Sequence, residues 1–328
     1  MIFMQTIIGN DINKAAQLLK SGELVAVPTE TVYGLAANAL DENAVLKIYH
    51  AKNRPRFNPL ILHVSYFNQL KEYAEEIPEA CIKLATIFSP GPITFLLNKK
   101  GSVLDLITAG SNKVAIRIPN HPLLTELLNK LDFPLAAPSA NPSGFVSPVA
   151  AKHVYEGLNG KIPYILDGGE CKIGVESTIV GFENDKIIIY RLGGVSKEAI
   201  ENVLGNEVEL KLAHITPDTP GQLKSHYATA TPLYFGNVEE LIGRFTGKKF
   251  VIISLDKQYS NISSSLQFQL SIAGDLNEAA RNLFKTLRIA DELNADLIIA
   301  ERMPDKDLGA AINDRLQRAQ HINKEHQS

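Results

Sequence analysis

Two α/β units in one chain, the second of them small and doubly wound, is the fold class that the sequence predicts. Three observations carry it. The chain has 328 residues, more than one hydrophobic core usually organises. Its first two thirds alternate short β-branched apolar runs with helix-period segments, the pattern of α/β or mixed architecture. Between about Lys211 and Thr231 the periodicity fades among polar residues, Pro217, Pro220 and Gly221, which marks a linker.

The elements follow in order. A helix over Ile12, Ala15, Ala16 and Leu19 places its apolar positions on one face, with Asp11 as N-cap and Gly22 just past its end. Strands are predicted at Leu24 to Pro28, Leu60 to Val64, Ile93 to Leu97, Val114 to Ile118, Pro134 to Ala137, Tyr164 to Leu166, Thr178 to Val180 and Ile187 to Tyr190. Helices fill Glu42 to Ala51, Pro78 to Phe88, Pro122 to Leu131 and Pro148 to Glu156, the last with Ser147 as N-cap and Pro148 at its first position. Beyond the linker, apolar runs at Pro232 to Phe235, Phe250 to Leu255 and Leu297 to Ala300 are separated by helices at Val238 to Phe245 and Leu276 to Leu293. The expected division is 1–208, a linker over 209–231, and 232–328.

Composition excludes several classes. Hydrophobic residues make up 45% and charged residues 21%, so the chain has an ordinary globular balance. A net charge of −3 lacks the basic footprint of strong non-specific nucleic-acid binding, so any anion site is local. Cys81 and Cys171 match no zinc or redox spacing and read as buried, inert thiols of a reducing compartment. Met1 to Asn10 has no signal-peptide pattern and no stretch of some 18 apolar residues occurs, so a cytoplasmic, unanchored protein is expected.

Standard motifs fail. Gly243 to Lys249 is too short for a Walker loop, no G-x-G-x-x-G or H-E-x-x-H occurs, and Ser139 lacks the flanking glycines of a nucleophile elbow. His321 and His326 lie in a polar tail and read as solvated.

Four polar clusters instead stand at the ends of apolar runs, where open α/β sheets place ligand-binding groups. The first, Pro28 to Leu35, is either a hydroxyl-rich turn or a binding loop. The second, Lys52 to Leu60, packs Lys52, Arg54 and Arg56 together; it suits a triphosphate or is a cationic helix end. His63 follows in the strand, where a structural histidine is the plain reading. In the third, Lys113, Ala115, Arg117 and Pro119 share a face, and Arg117 inside an apolar run calls for a carboxylate ligand or an internal salt bridge. The fourth runs from Pro138 through Ser139 and Asn141 to Ser147, and ordinary turn chemistry also explains it. Glu176-Ser177-Thr178 and Arg191-Leu192-Gly193-Gly194 could complete a site.

Together and in this order, P-T-E-T-V-Y-G-L, K-x-R-P with the nearby N-P-L, A-I-R-I-P, P-S-A-N-x-S-G, E-S-T-I-V and R-x-G resemble the YrdC-type threonylcarbamoyl-AMP synthase family in its two-domain form. The match extends through P-G-Q-L-K-S-H-Y-A into D-R-L-x-R-A near the C-terminus. The resemblance implies a twisted mixed sheet with a concave basic cavity, followed by a smaller Rossmann-like domain. It also implies that Thr31, His63, Arg117 and Ser177 contact threonine, with Arg117 on its carboxylate. Lys52, Arg54, Asn58, Ser139, Asn141, Ser147 and Arg191 would hold ATP, and His226 and Tyr227 of the linker would close over it. Thr229 stands where the family's linker commonly has proline.

The implied reaction captures bicarbonate or CO2 on threonine's amine and transfers the carbamate to the α-phosphate of ATP, expelling pyrophosphate, for threonylcarbamoyladenosine modification of tRNA. Mg²⁺ would be held mainly by the phosphates, with no protein metal cage. The product would pass to the tRNA threonylcarbamoyl-transfer machinery, without strong direct tRNA binding. Two rivals are an RNA- or ribosome-binding module, disfavoured by net acidity, and carbamoyl transfer in hydrogenase maturation, whose zinc modules two isolated cysteines cannot build.

Overall fold

The computed structural model describes residues 5–184, 186–212, 227–260 and 262–320. The chain divides into two compact units, Met1–Ser143 with Ser147–Leu223, and Gly144–Val146 with Lys224–Ser328. The first is built on an eleven-stranded mixed sheet. Its strands are β1 (Ile7–Gly9), β2 (Val25–Val27), β3 (Gly34–Asn38), β4 (Ile61–His63), β5 (Ile93–Asn98), β6 (Lys113–Arg117), β7 (Leu135–Ala136), β8 (Tyr164–Leu166), β9 (Thr178–Glu183), β10 (Lys186–Arg191) and β11 (Glu209–Leu210). Their order is β1-β8-β2-β3-β7-β4-β6-β5-β9-β10-β11.

Register brings the chemistry-bearing ends together. β4 and β6 run parallel with His63 opposite Arg117, so both strands finish at one level. β5 runs antiparallel to β6 with Thr94 opposite Arg117, and parallel to β9 with Thr94 opposite Ile179. β10 returns antiparallel to β9 and ends with Arg191 opposite Ile179. The starts of two strands thus meet the ends of three others.

Covering helices follow their apolar stripes. Helix Ile12–Lys20 is capped by Asp11, whose carboxylate accepts from the Lys14 amide, and it buries Ala15, Ala16 and Leu19. These pack with Leu124, Leu127 and Leu128 of helix Pro122–Asn129 over Val25, Val27 and Leu135. β2 and β8 are buried throughout and therefore read as continuous apolar runs instead of alternating ones.

The second unit carries an all-parallel four-stranded sheet of β12 (Leu233–Gly236), β13 (Phe250–Ser254), β14 (Gln267–Gln269) and β15 (Leu297–Glu301), in the order β12-β15-β13-β14. Helix Leu276–Glu292 starts at Asp275, which caps two amides, and buries Ala279, Ala280, Leu283, Phe284 and Leu287.

Sequence patterning recovers most of the apolar strands, including the short β2, β4, β7 and β8, and misses others. β1, β3, β11, β14 and helix Gly309–Ala319 are among the elements that the patterning does not signal. β3 reads Gly-Leu-Ala-Ala-Asn, without a β-branched residue, and owes its state to its neighbours β2 and β7. Two boundaries differ. β11 pairs with β10, so the large sheet continues past residue 208 into the expected linker. Gly144–Val146 belongs to the second unit because the Ala228 amide donates to Gly144, Phe145 bridges Ala228, and Arg288 donates to the Val146 carbonyl at 2.6 Å. Residues 213–226 lie outside the described residues. The expected helix cap at Ser147 is also corrected: the helix is Ala151–Leu158, and the Ser147 hydroxyl donates to Glu176 instead.

Candidate functional site

The loop after β2 divides its labour between turn and site. Thr29 is the turn-former: its hydroxyl donates to the Val32 carbonyl at 2.7 Å and accepts from the amides of Thr31 and Val32. Thr31 shares a 2.8 Å hydroxyl contact with it and is fully buried. Tyr33 reaches away from this turn. Its phenol accepts from the Gly168 amide at 3.0 Å and donates to the Gly169 carbonyl at 2.8 Å, which pins the loop leading to Glu176 and Ser177. Two amides of that loop, from Ile173 and Gly174, donate back to the Glu30 and Thr31 carbonyls.

Arg117 resolves as an internal ion pair. Its Nη2 donates to Glu30 at 2.7 Å and its Nε to the Gly91 carbonyl at 3.3 Å, with both charged side chains 5–6% exposed. Such a pair needs its remaining donors and lone pairs satisfied to justify burial. Glu30 gains a second donor, the Asn120 amide at 3.1 Å. Arg117 retains Nη1, which has no partner among the described residues and completes a planar donor edge suited to a carboxylate.

Beside it, His63 is buried and its Nδ1 donates to the Ile61 carbonyl at 3.2 Å. Burial, with the Arg117 charge as the second cause, pushes its pKa down to about 3, so the imidazole is neutral at physiological pH. On the other side of Arg117, Thr94 and Ser177 share a 2.7 Å hydroxyl contact. Arg191 grips Ser177 twice, donating to its carbonyl and to its hydroxyl, both at 3.0 Å. Ser147 joins the group through Glu176 at 2.6 Å.

A second group surrounds the loop after β7. Lys52 is 1% exposed, and its ammonium donates to the carbonyls of Ser139, at 2.5 Å, and Asn141. Burial, then the Arg54 charge, holds its pKa well below the usual lysine range. The residue read as a phosphate cation thus has a prior engagement, shaping the Ser139–Asn141 loop. That loop also meets the first group, since the Ala140 amide donates to Tyr33 and Ser139 bridges Gly34. Arg54 donates to the carbonyls of Asn58 and Pro59, fixing a tight bend before β4. Neither amide atom of the fully buried Asn58 has a partner among the described residues, an unmet demand that a ligand would answer.

Tyr227 lies in the second unit, where its ring stacks on Phe284 at 5.5 Å and the Arg315 guanidinium lies 5.3 Å from its centroid. His226 lies outside the described residues. Thr229 donates to the Thr231 carbonyl at 2.6 Å. Thr94 and Tyr33 are the site groups that patterning did not assign. A lone threonine in the apolar run Ile93 to Leu97 was the available signal for Thr94.

Both cysteines are free and buried, and burial pushes each thiol up to about 12. Among the described residues no group of three or more His, Cys, Asp or Glu side chains could hold a metal ion, and no helix is long and apolar enough to cross a membrane.

Two family models cover most of the chain between them. The Sua5/YciO/YrdC family, described as "Telomere recombination", matches residues 17–193, and the "Threonylcarbamoyl-AMP synthase, C-terminal domain" family matches residues 195–320. Threonylcarbamoyl-AMP synthase of Pyrococcus abyssi is 42% identical, over 94% of this chain and 93% of its own. The Bacillus subtilis protein of that name is 40% identical, over 94% and 92%. The crystal structure of Pyrococcus abyssi Sua5 complexed with L-threonine superposes with a TM-score of 0.89 at 41% identity, covering 96% of this chain and 97% of that one. With both family models matched in succession and relatives aligned over 94% of its length, the chain belongs to the two-domain threonylcarbamoyl-AMP synthase family.

Proposed function

We propose that the first unit binds L-threonine and ATP together and joins them through a carbamate. The observation that carries this reading is the Arg117 guanidinium, held by Glu30 and Gly91 with Nη1 still available, next to neutral His63 and the Ser177 hydroxyl. An amino-acid carboxylate fits the guanidinium edge, and a small hydroxylated side chain fits a surround of hydroxyls and a neutral imidazole.

The chemistry is addition followed by displacement. Threonine's amine adds to CO2 derived from bicarbonate, and the nitrogen loses a proton to give a carbamate. A carbamate oxygen then attacks the α-phosphorus of ATP, the bond to the bridging oxygen breaks, and pyrophosphate departs with that electron pair. No enzyme nucleophile is required. The protein's task is in-line placement, charge neutralisation and exclusion of water from a labile carbamate. Arg54 and Arg191, with the loop that Lys52 supports, would face the triphosphate, and Asn58 would gain its missing partners there. Glu30 and Glu176 are committed to Arg117 and Ser147, so Mg²⁺ would be carried by phosphate oxygens, where it offsets their negative charge. The threonylcarbamoyl-AMP formed is an activated acyl donor, handed on for tRNA threonylcarbamoyladenosine formation.

The test is pyrophosphate release by the full chain with threonine, bicarbonate and ATP omitted one at a time. Release is expected only with all three. Equal release without threonine or without bicarbonate rejects the reading.

A further inference from the structure

Thr94 is fully buried at the start of β5, inside the otherwise apolar run Ile93 to Leu97. Its hydroxyl touches the Ser177 hydroxyl at 2.7 Å, a distance that leaves the direction of the proton open. Either direction leaves one hydroxyl proton over, and the two arrangements differ in which residue holds it. A serine hydroxyl offers one proton and two lone pairs. One lone pair of Ser177 Oγ is occupied by Arg191 Nη2–H at 3.0 Å. Were Ser177 to donate to Thr94, the threonine proton would have no acceptor among the described residues, a buried and unsatisfied donor. With Thr94 donating, both lone pairs of Ser177 are filled and the proton left over is that of Ser177, the hydroxyl assigned above to the bound amino acid. The Ser177 proton must then find its acceptor elsewhere.

We propose that Thr94 is a positioning residue that forces the Ser177 hydroxyl to act as a hydrogen-bond donor toward the bound amino acid. Arg191 and Thr94 together leave Ser177 no other role, and a carboxylate or hydroxyl oxygen is the chemistry that takes such a proton. The strand register makes this possible: Thr94 is the residue opposite both Arg117 on β6 and Ile179 on β9, so one β5 side chain sits between the guanidinium and the serine. The inference rests on threonine binding as read above, and it deepens that reading by naming the group that sets the proton direction.

The experiment is calorimetric titration of the full chain with L-threonine, using Thr94→Val, Thr94→Ser, Ser177→Ala and the Thr94→Val/Ser177→Ala double variant. Valine keeps the shape and removes the hydroxyl. Thr94→Val is expected to weaken threonine binding by about ten- to hundredfold, the scale of one hydrogen bond to a charged group. The KM for ATP and the melting temperature should stay near wild type. Thr94→Ser should restore affinity, and Thr94→Val should add nothing in the Ser177→Ala background, because the two act as one unit. Wild-type affinity in Thr94→Val overturns the proposal, as does an undiminished loss on the Ser177→Ala background or failure of serine to rescue. If the wild-type chain itself does not bind threonine, the functional reading falls first and takes this inference with it.

Discussion

Burial next to cationic groups decides what each side chain at the site can be. His63 illustrates it: a histidine in an apolar strand is an unremarkable sequence feature, yet its enclosure beside Arg117 keeps it neutral. Its pKa falls from 6.5 when free to about 3 when folded, so between these values the unfolded chain binds a proton that the folded one does not. Stability from this group is therefore complete above pH 6.5 and is lost as pH falls toward 3, at about 1.4 kcal/mol per pH unit at most. Urea unfolding across pH 4 to 6 should show His63→Gln with a shallower pH slope than wild type by about one proton. Parallel slopes would show that His63 is not held neutral. The same environment explains Arg117. The sequence left open whether its partner was a ligand carboxylate or an internal acid, and the structure supplies the acid while sparing one guanidinium nitrogen.

At the scale of elements, the site depends on how closely two segments approach. A Cβ on Gly193 would lie 2.2 Å from the Glu176 carbonyl oxygen and 2.6 Å from the Thr178 nitrogen, distances no side chain tolerates. The glycine of the R-x-G string is thus required by space, since the turn after β10 packs directly on the backbone that presents Ser177. Gly194 closes the contact, its amide donating to Glu176 at 2.9 Å. Gly193→Ala is expected to push the 176–178 backbone away from Arg191, costing about 1–3 kcal/mol or more of stability and raising the KM for threonine with it. Urea unfolding and threonine titration check both, and an unchanged pair of values would mean that the backbone yields freely. Lys52 makes the complementary point. Its motif is legible, but its engagement with the Ser139 and Asn141 carbonyls depends on a loop some 87 residues away in sequence.

Across the whole molecule, each unit has its own sheet and its own buried apolar cluster, which is the condition for separate unfolding. Ile299 is fully buried in β15 of the second unit. Ile299→Ala should lower that unit's stability by about 2–5 kcal/mol. In calorimetry one of two transitions should move down while the other stays; a single transition shifting as a whole would show one cooperative block. What the sequence determined by itself was the strongly patterned part: two α/β units, the apolar strands, and polar strings whose order resembles one family. Periodicity reports whether a segment has a buried face, and a string of small polar residues reports that backbone or ligand must be served. Tertiary structure decided the rest. Register set Thr94 against Arg117 and Ser177, burial beside a guanidinium kept His63 neutral, and a distant loop took up the Lys52 charge. Each of these arises between residues far apart in the chain, where local pattern carries no information about distance or dielectric surroundings.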